Sequence, residues 1–287
     1  MHVPAAAHLV TQLACAVAIC TLAACAPQGD PPTADVPEAN AALPDTIRVL
    51  AYNTHHGAGN DDVLDLARIG ALIRDLDPDL VALQEIDRVV ERTEGVDQTA
   101  VYSETTGLEG FFGAFMDYQG GEYGMAVLSA WPIVESWNHR LADGAEPRSS
   151  AAVRVRSPAT GREYLFSGIH FYRTEAERLA QAQDLDAALA ATDDRATGEP
   201  IPTLLAGDFN SQPGGTVLGW LTAEANTPWW VIPKDGPSNT FPSDEPAREI
   251  DFLMARPTDR WEVIEHRVID EPVASDHAPI FAVLVAR

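Results

Sequence analysis

The chain has 287 residues, 46% of them hydrophobic, and is therefore long enough for one large globular domain. Its 43 acidic and 19 basic residues give a formal net charge of −24, and its one lysine is Lys234. Nonspecific affinity for nucleic acid depends on basic residues that displace counterions from phosphates. The composition therefore argues against a general nucleic-acid-binding protein, although a local basic patch is compatible with it.

The first 25 residues contain no Asp, Glu, Lys or Arg, and their apolar positions are densest from Leu13 to Ala24. This run is short for a membrane span of roughly 20 apolar residues and is typical of a secretory signal. Its end, Leu22-Ala23-Ala24-Cys25, resembles a bacterial lipobox. The resemblance implies cleavage before Cys25, a lipid on that cysteine, and a membrane-anchored lipoprotein on the extracytoplasmic side of the cell envelope. An uncleaved anchor and a soluble secreted form are the alternatives.

The segment that follows has the composition of a linker. Residues 26–45 hold five prolines and no periodic apolar pattern, which predicts an extended tether. Residues 46–287 then form the predicted folded domain, which we expect to be monomeric. Cys15 and Cys20 would leave with the signal, so no disulfide is expected in the mature chain.

The folded part opens with a strand, a helix and a second strand, which favours an α/β domain. The strands are IRVLAY (47–52) and LVALQ (80–84), and helical spacing of apolar residues runs from Asp62 to Leu76. A polar loop from Asp87 to Thr99 and several strand-like runs follow. A second helix is expected from Thr174 to about Ala191. Two late strands, REIDFLMAR and PIFAVLVA, are separated by a less regular segment.

Polar residues recur where these apolar strands end, which is a rigid way to direct side chains to one point. In chain order they are Asn53, Glu85, His170, Asp208 with Asn210, Asp251, and Asp276 with His277.

These residue types suit metal-assisted hydrolysis of a phosphate ester. Glu85, Asp276 and the amide oxygen of Asn53 are the oxygen ligands that Mg²⁺ prefers, with Mn²⁺ or another divalent cation as the alternative. Asp208 could orient or deprotonate the attacking water, and Asn210 could hold the phosphoryl oxygens.

Two histidines complete this prediction. His277 could be kept protonated by Asp251, and His170 is a second candidate for contact with the phosphate or the leaving group.

Six segments in this order resemble the endonuclease/exonuclease/phosphatase family over about residues 46–287. They are YNTHHG (52–57), LQEID (83–87), GIHF (168–171), GDFNSQP (207–213), REIDFL (248–253) and SDHAPI (275–280). The resemblance implies a four-layer α/β (α+β) sandwich, with two packed mixed β-sheets flanked by helices and a site at one edge between the sheets. It also implies that Glu85 is the divalent-metal glutamate and that Asn53 is the asparagine beside it. By the same resemblance, Asp208 and Asn210 match the G-D-x-N pair, Asp251 the aspartate that pairs with the site histidine, and Asp276-His277 the S-D-H motif. His170 matches a histidine found in many branches of the family.

Several points stay open from the sequence. The substrate could be a small or lipid phosphodiester, which we favour, or a nucleic acid or a phosphomonoester; a binding protein without turnover is the rival outside enzymes. Arg148 could reach a phosphate or be an exposed loop arginine, and His55 and His56 could be ligands or hydrogen-bonding turn residues. If the site exists, Glu85 and His277 must lie within about a dozen ångströms, the reach of a metal and a phosphoryl group together.

Overall fold

A computed structural model of the chain describes residues 44–192, 200–224 and 228–287, which belong to one compact unit. The predicted signal peptide, the lipidation site Cys25 and nearly all of the predicted tether lie outside the described residues. The first strand begins at Asp45, the last residue that we assigned to the tether. Within the described ranges, no helix combines the length and the apolar character needed to cross a membrane.

Two six-stranded mixed β-sheets form the body of the domain. Sheet I has the strand order β11-β12-β1-β2-β4-β3, and β1 and β2 are parallel. Its strands are β1 (Asp45–Asn53), β2 (Leu80–Arg88), β3 (Glu109–Tyr118), β4 (Gly121–Ser129), β11 (Trp261–Val268) and β12 (Ile280–Ala286).

Sheet II has the order β5-β6-β7-β8-β10-β9, and β7 and β8 are its parallel pair. Its strands are β5 (Ile133–Arg140), β6 (Ser149–Arg156), β7 (Glu163–His170), β8 (Thr203–Asp208), β9 (Trp230–Val231) and β10 (Asp251–Arg256). Four α-helices are described: α1 (Leu66–Leu76), α2 (Gln98–Thr106), α3 (Glu175–Thr192) and α4 (Thr216–Leu221).

Three buried apolar clusters divide the domain into four layers. One lies between the sheets and includes Val49, Ala82, Val127, Val153 and Phe166. A second packs α3 and α4 on sheet II, and a third packs α1 and α2 on sheet I. Because both faces of each sheet are covered, central strands such as β2 and β8 are buried along nearly their whole length. The predicted four-layer sandwich is therefore confirmed.

Two elements differ from the sequence-based expectation. Part of the predicted polar loop forms α2, which begins at Gln98 with the Asp97 side chain accepting from the Ala100 amide. The segment that we expected to be less regular is strand β11, whose register with β12 shifts between Val263 and Glu265. That bulge interrupts the alternation of apolar and polar residues, which hid the strand from a periodicity argument.

A buried carboxylate joins the two sheets at the beginning of β1. Asp45 accepts hydrogen bonds from Ser157 (2.5 Å), Thr160 (2.6 Å) and Tyr164 (2.6 Å), which lie at the turn between β6 and β7 and in β7 itself. These contacts fix β1 against sheet II at the strand's first residue, and the opposite end of the strand carries Asn53.

His266 on β11 predicts a loss of stability in acid. The ring is fully buried, and its Nδ1 lies 3.1 Å from the Ile232 carbonyl oxygen and 3.2 Å from that of Pro233. Burial, together with the charge of Lys234, lowers the pKa of His266 from 6.5 to about 4. The unfolded chain binds the proton near pH 6.5 and the folded chain only near pH 4, so this residue lowers the free energy of unfolding as pH falls between those values. The expected loss is about 3 kcal/mol.

Urea unfolding at pH 7.5 and pH 5.0 tests this expectation. His266→Asn keeps an N–H donor near the same carbonyl oxygens but does not titrate, so the variant should lose less stability than the wild type between the two pH values. Equal losses in both proteins would show that His266 does not cause the acid sensitivity.

Candidate active site

The strand pairing places the predicted site residues side by side. Asn53 ends β1 opposite Gln84 of the parallel strand β2. In sheet II, His170 at the end of β7 is in register with Asp208 at the end of β8, and Asp208 is paired with Asp251 at the start of β10. Hydrogen-bonded neighbours in a sheet are about 5 Å apart, so three titratable side chains share one edge.

Glu85 reaches this edge through a β-bulge in β2. The register between β2 and β4 shifts between Gln84 and Ile86, and Glu85 itself has a φ of 59°. A non-glycine residue in the left-handed region costs of order 1–3 kcal/mol, and such strain clusters at functional sites. The bulge frees Glu85 from the strand's alternation, and its side chain lines the cavity that the site faces.

Gly207, the glycine of the G-D-x-N segment, is required by the close approach of β7 and β8. Its φ is +142°, and a Cβ atom there would lie 2.1 Å from the Ile169 carbonyl oxygen and 2.9 Å from Gln84 Nε2. Any side chain at this position would push the two parallel strands apart and separate His170 from Asp208.

Asn53 lies at the centre of the site. Its Nδ2 is 3.2 Å from Glu85 Oε1, 3.3 Å from Asp208 Oδ2 and 3.5 Å from His277 Nε2. One amide group therefore connects Glu85 and His277, which lie well within the distance that the sequence analysis requires. The predicted ligand atom points elsewhere, because Asn53 Oδ1 accepts the His55 backbone N–H at 3.1 Å. In this arrangement Asn53 donates a hydrogen bond to Glu85. Its side-chain oxygen would face a cation only if the amide group rotated by about half a turn.

The carboxylate of Glu85 suits a divalent cation. Burial alone would raise the pKa of Glu85, but the neighbouring His56 ring and the hydrogen bond from Asn53 hold it below its usual value, so the group is ionised. His56 Nδ1 lies 3.9 Å from Glu85 Oε2. His55 and His56 both have a positive φ, of 46° and 47°. His55 turns away, with Nδ1 3.1 Å from the Ala58 carbonyl oxygen. Asp276 lines the same cavity and adds a second carboxylate.

A second group of possible ligands is engaged in hydrogen bonds. Donor atoms of Asp208, Asp251 and His277 all lie within 4.8 Å of one another. His277 Nδ1, however, is 2.9 Å from Asp251 Oδ2, and an imidazole that is protonated on both nitrogens cannot bind a metal. The residues that best fit a cation are therefore Glu85 and Asp276.

His277 is held as a cation by its partner on β10. Burial alone would lower the pKa of His277, but the charge of Asp251, with those of Asp208 and Asp276, raises it to about 10. Thr240 Oγ1 donates to the same Asp251 oxygen at 2.5 Å and fixes the carboxylate. His277 Nε2 is left facing Asp208 Oδ2 at 3.8 Å.

Asp208 and His170 are buried, and burial shifts their pKa values in opposite directions, so that each favours its neutral form. Burial raises the pKa of Asp208 to about 7, against the favourable charge of His277. Burial, with the charge of Arg148, lowers the pKa of His170 well below its usual value, so this ring is neutral. His170 Nε2 lies 3.3 Å from Asp208 Oδ2, so the neutral ring and the carboxyl are close neighbours.

Hydrogen bonds hold Asn210 beside Asp208. It has a φ of 48°, its backbone N–H donates to Asp208 Oδ1 at 2.7 Å, and its Nδ2 donates to the Phe171 carbonyl oxygen at 2.9 Å. The predicted contact of this amide with a phosphoryl oxygen would compete with its weaker contact to Asp208 Oδ2, at 3.4 Å.

The site opens into a cavity of about 380 Å³. Site residues Glu85, His170, Asp208, Asn210, Asp276 and His277 form one part of its wall. The rest of the wall is Arg92, Met116, Tyr118, Tyr123, Glu146, Arg148, Tyr172, Arg173 and Phe241. Arg148 is 6% exposed, so the alternative of an exposed loop arginine is wrong.

Sequence reasoning missed three residues that hold the site together. Thr240 fixes Asp251; Lys234 Nζ donates to the Asp251 backbone oxygen at 2.9 Å; Ser275 Oγ donates to the Asn53 carbonyl oxygen at 2.7 Å. Thr240 and Lys234 lie in irregular segments with no periodic pattern, so no local signal marks them. Ser275 belongs to the S-D-H segment and was quoted there without a role.

Thr240→Val is expected to lower kcat about tenfold while leaving the fold intact. Valine has nearly the same shape, but it removes the hydroxyl that fixes the Asp251 carboxylate, a contact worth about 1–2 kcal/mol. Thr240→Ser should recover most of the activity because it restores the donor. Full activity in Thr240→Val, measured at unchanged melting temperature, would exclude a positioning role for this residue.

Comparisons with known proteins agree with this arrangement. A family model for the endonuclease/exonuclease/phosphatase family matches residues 50–277. No curated protein matches the sequence.

Solved structures of similar fold include an endonuclease/exonuclease/phosphatase from Beutenbergia cavernae, with 21% identity over 84% of this chain and 72% of that one and a TM-score of 0.66. A mannosyl-6-phosphatase from Bacteroides thetaiotaomicron has 18% identity over 83% and 99% of the two chains and a TM-score of 0.68. The human Nocturnin catalytic domain with bound sulfate has 20% identity over 85% and 98%, with a TM-score of 0.67.

These likenesses establish the two-sheet sandwich, and the family model spans most of the sequence, including every predicted site residue from Asn53 to His277. The chain therefore belongs to the endonuclease/exonuclease/phosphatase family, whose members are phosphoester hydrolases.

Proposed function

We propose that the protein hydrolyses a small, polar phosphodiester with the help of a divalent cation. The observation that carries this proposal is the placement of a buried acid, Asp208, within 3.8 Å of His277, which Asp251 keeps protonated, in the wall of one cavity. The first can accept a proton near neutral pH and the second can donate a charged hydrogen bond to a phosphoryl or leaving oxygen.

The side chains divide the chemistry between them. Glu85 and Asp276 would hold the cation, which when bound would polarise a phosphoryl oxygen and stabilise negative charge on the leaving oxygen. Asp208 orients the attacking water and takes its proton, since its pKa of about 7 lies close to the working pH. His170, neutral and with its Nε2 3.3 Å from Asp208 Oδ2, packs against that carboxylate and helps to keep it in place.

The cavity wall favours a small polar substrate over a lipid or a polymer. Among the lining residues only Met116 and Phe241 lack a polar side-chain atom, so an acyl chain would find little apolar surface. The net charge of −24 opposes a long polyanion. A volume of about 380 Å³ accommodates a ligand at the small end of the usual range.

Metal-dependent turnover of bis(p-nitrophenyl) phosphate tests the proposal. The purified protein should release p-nitrophenol from this diester with Mg²⁺ or Mn²⁺ and not with EDTA, and faster than from p-nitrophenyl phosphate. Plasmid DNA and sphingomyelin vesicles serve as competing substrate classes. Preference for the monoester would replace the phosphodiester activity, and preference for the DNA or the lipid would replace the small polar diester as substrate. No turnover of any of them would support a binding protein.

We also propose that the chain is anchored by a lipid on Cys25. The support is the uncharged apolar run that ends in Leu-Ala-Ala-Cys and the proline-rich segment after it. Two or more acyl chains suffice for stable anchoring. In a bacterial host supplied with labelled palmitate, the wild type should carry label and sediment with membranes, and Cys25→Ala should lose the label. Unlabelled wild-type protein would contradict the lipoprotein assignment.

A further inference from the structure

The wall of the cavity also holds a buried arginine, Arg148, with two guanidinium nitrogens that lack a hydrogen-bond partner among the described residues. Arg148 is 6% exposed, and its Nη2 lies 2.8 Å from Glu146 Oε1. Its Nε and Nη1 are buried and have no hydrogen-bond partner among the described residues. Leaving a buried charged donor without a hydrogen bond destabilises the folded state. Such a group calls for a function, and a ligand bound in the adjoining cavity is one that would complete its hydrogen bonds.

Aromatic rings hold the guanidinium in place without satisfying it. Arg148 Cζ lies 5.0 Å from the ring centre of Phe115, 5.9 Å from that of Tyr123 and 5.8 Å from that of Tyr172. These faces attract the positive charge but offer no lone pair in the plane of the N–H groups. Tyr123 and Tyr172 also line the cavity, so the arginine sits in a rigid, partly aromatic wall.

The partner of Arg148 decides which ligand group fits. Glu146 also lines the cavity, with 32% of its side chain exposed, and it neutralises the guanidinium charge. A second anionic group on the substrate would gain from Arg148 and be repelled by Glu146. A hydroxyl-bearing group both accepts from N–H and donates to a carboxylate, so it complements this pair without a charge conflict.

We propose that Glu146 and Arg148 form a subsite for the hydroxyl groups of a sugar or polyol that is esterified to the scissile phosphate, with Tyr123 and Tyr172 packing against its carbon skeleton. This inference rests on the proposed phosphodiesterase function and names the part of the substrate that remains after the leaving group departs. Arg148 and Glu146 are thus specificity-determining residues rather than catalytic ones.

Two phosphodiesters with the same leaving group test the subsite. Both carry p-nitrophenol, and the second alcohol is the 6-hydroxyl of methyl glucoside in one and cyclohexylmethanol in the other. The wild type should have a higher kcat/KM for the sugar ester. Glu146→Gln and Arg148→Met should each lower the ratio of the two kcat/KM values about tenfold, the effect of one hydrogen bond to a charged group.

A matched pair outside the cavity provides the control. Arg88 pairs with Glu122 and lies over the Phe112 ring, 4.4 Å from its centre, and neither residue lines this cavity. Arg88→Met and Glu122→Gln should leave the substrate ratio unchanged. Circular dichroism and thermal melting exclude misfolded variants, and Arg148→Lys provides a second, charge-preserving variant that should also lose the ratio because it lacks the planar fork.

The outcomes separate the two proposals. No hydrolysis of either ester would overturn the proposed phosphodiesterase function. Hydrolysis of both with equal kcat/KM in the wild type would leave that function standing and overturn the polyol subsite. A preference for a third ester bearing a carboxylate in place of the hydroxyls, increased by Glu146→Gln, would show that Arg148 binds a second anion instead.

Discussion

Replacing Asp208 by asparagine is expected to lower kcat by about 10³-fold at saturating substrate and cation, because asparagine has the same shape but cannot accept the proton of the attacking water. The backbone N–H of Asn210 can still donate to the new side-chain oxygen, so the geometry of the site should persist. The Michaelis constant should change much less than kcat, since the lost interaction belongs to the transition state. Steady-state turnover of the p-nitrophenyl diester measures both constants.

The same substitution should not destabilise the fold. Because burial raises the pKa of Asp208 from 3.8 to about 7, this carboxyl weakens the folded state as pH rises through that interval. Asparagine removes the titration, so at pH 8 in EDTA the variant should melt at the same temperature as the wild type or above it. Asp184→Asn, on the exposed face of α3, is the control and should change neither quantity. Near-normal turnover in Asp208→Asn would exclude the base role.

The site was predictable because its chemistry lies at strand ends. Apolar runs show where strands lie, and a polar residue directly after such a run marks an edge. The pairing of Asp208 with Asp251 and of His170 with Asp208 then follows once neighbouring strands are in register. This pattern gives the type and the approximate position of each site residue. A cluster of these residues at one edge of the sheets could therefore be expected before its geometry was known.

Orientation was not predictable, because it depends on contacts between distant segments. The bulge at Glu85 has no sequence signal, yet it sets where the carboxylate points. Asn53 turns its nitrogen to the site because a backbone N–H two residues on occupies its oxygen. The sequence left Arg148 open between a phosphate contact and an exposed loop, and only the packing of Phe115 and two tyrosines from other segments explains its burial.

A second large effect is expected at His277, and it should reveal how Asp251 acts. His277→Gln replaces the charged imidazole by a neutral amide of similar length. It removes the charge that faces the phosphate, which should lower kcat by about 10²- to 10³-fold. His139→Gln, on strand β5 outside the cavity, is the control.

Asp251 raises the pKa of His277 to about 10, so Asp251→Asn should move the alkaline limit of kcat to lower pH, because His277 then loses its proton earlier. If Asp251 works only through this histidine, Asp251→Asn should lower kcat little further in the His277→Gln background, since two residues that act as one unit give non-additive losses. If the loss of kcat in the double variant equals the product of the losses in the two single variants, Asp251 contributes on its own. The pairing of Asp251 with His277 at 2.9 Å would then be structural rather than functional.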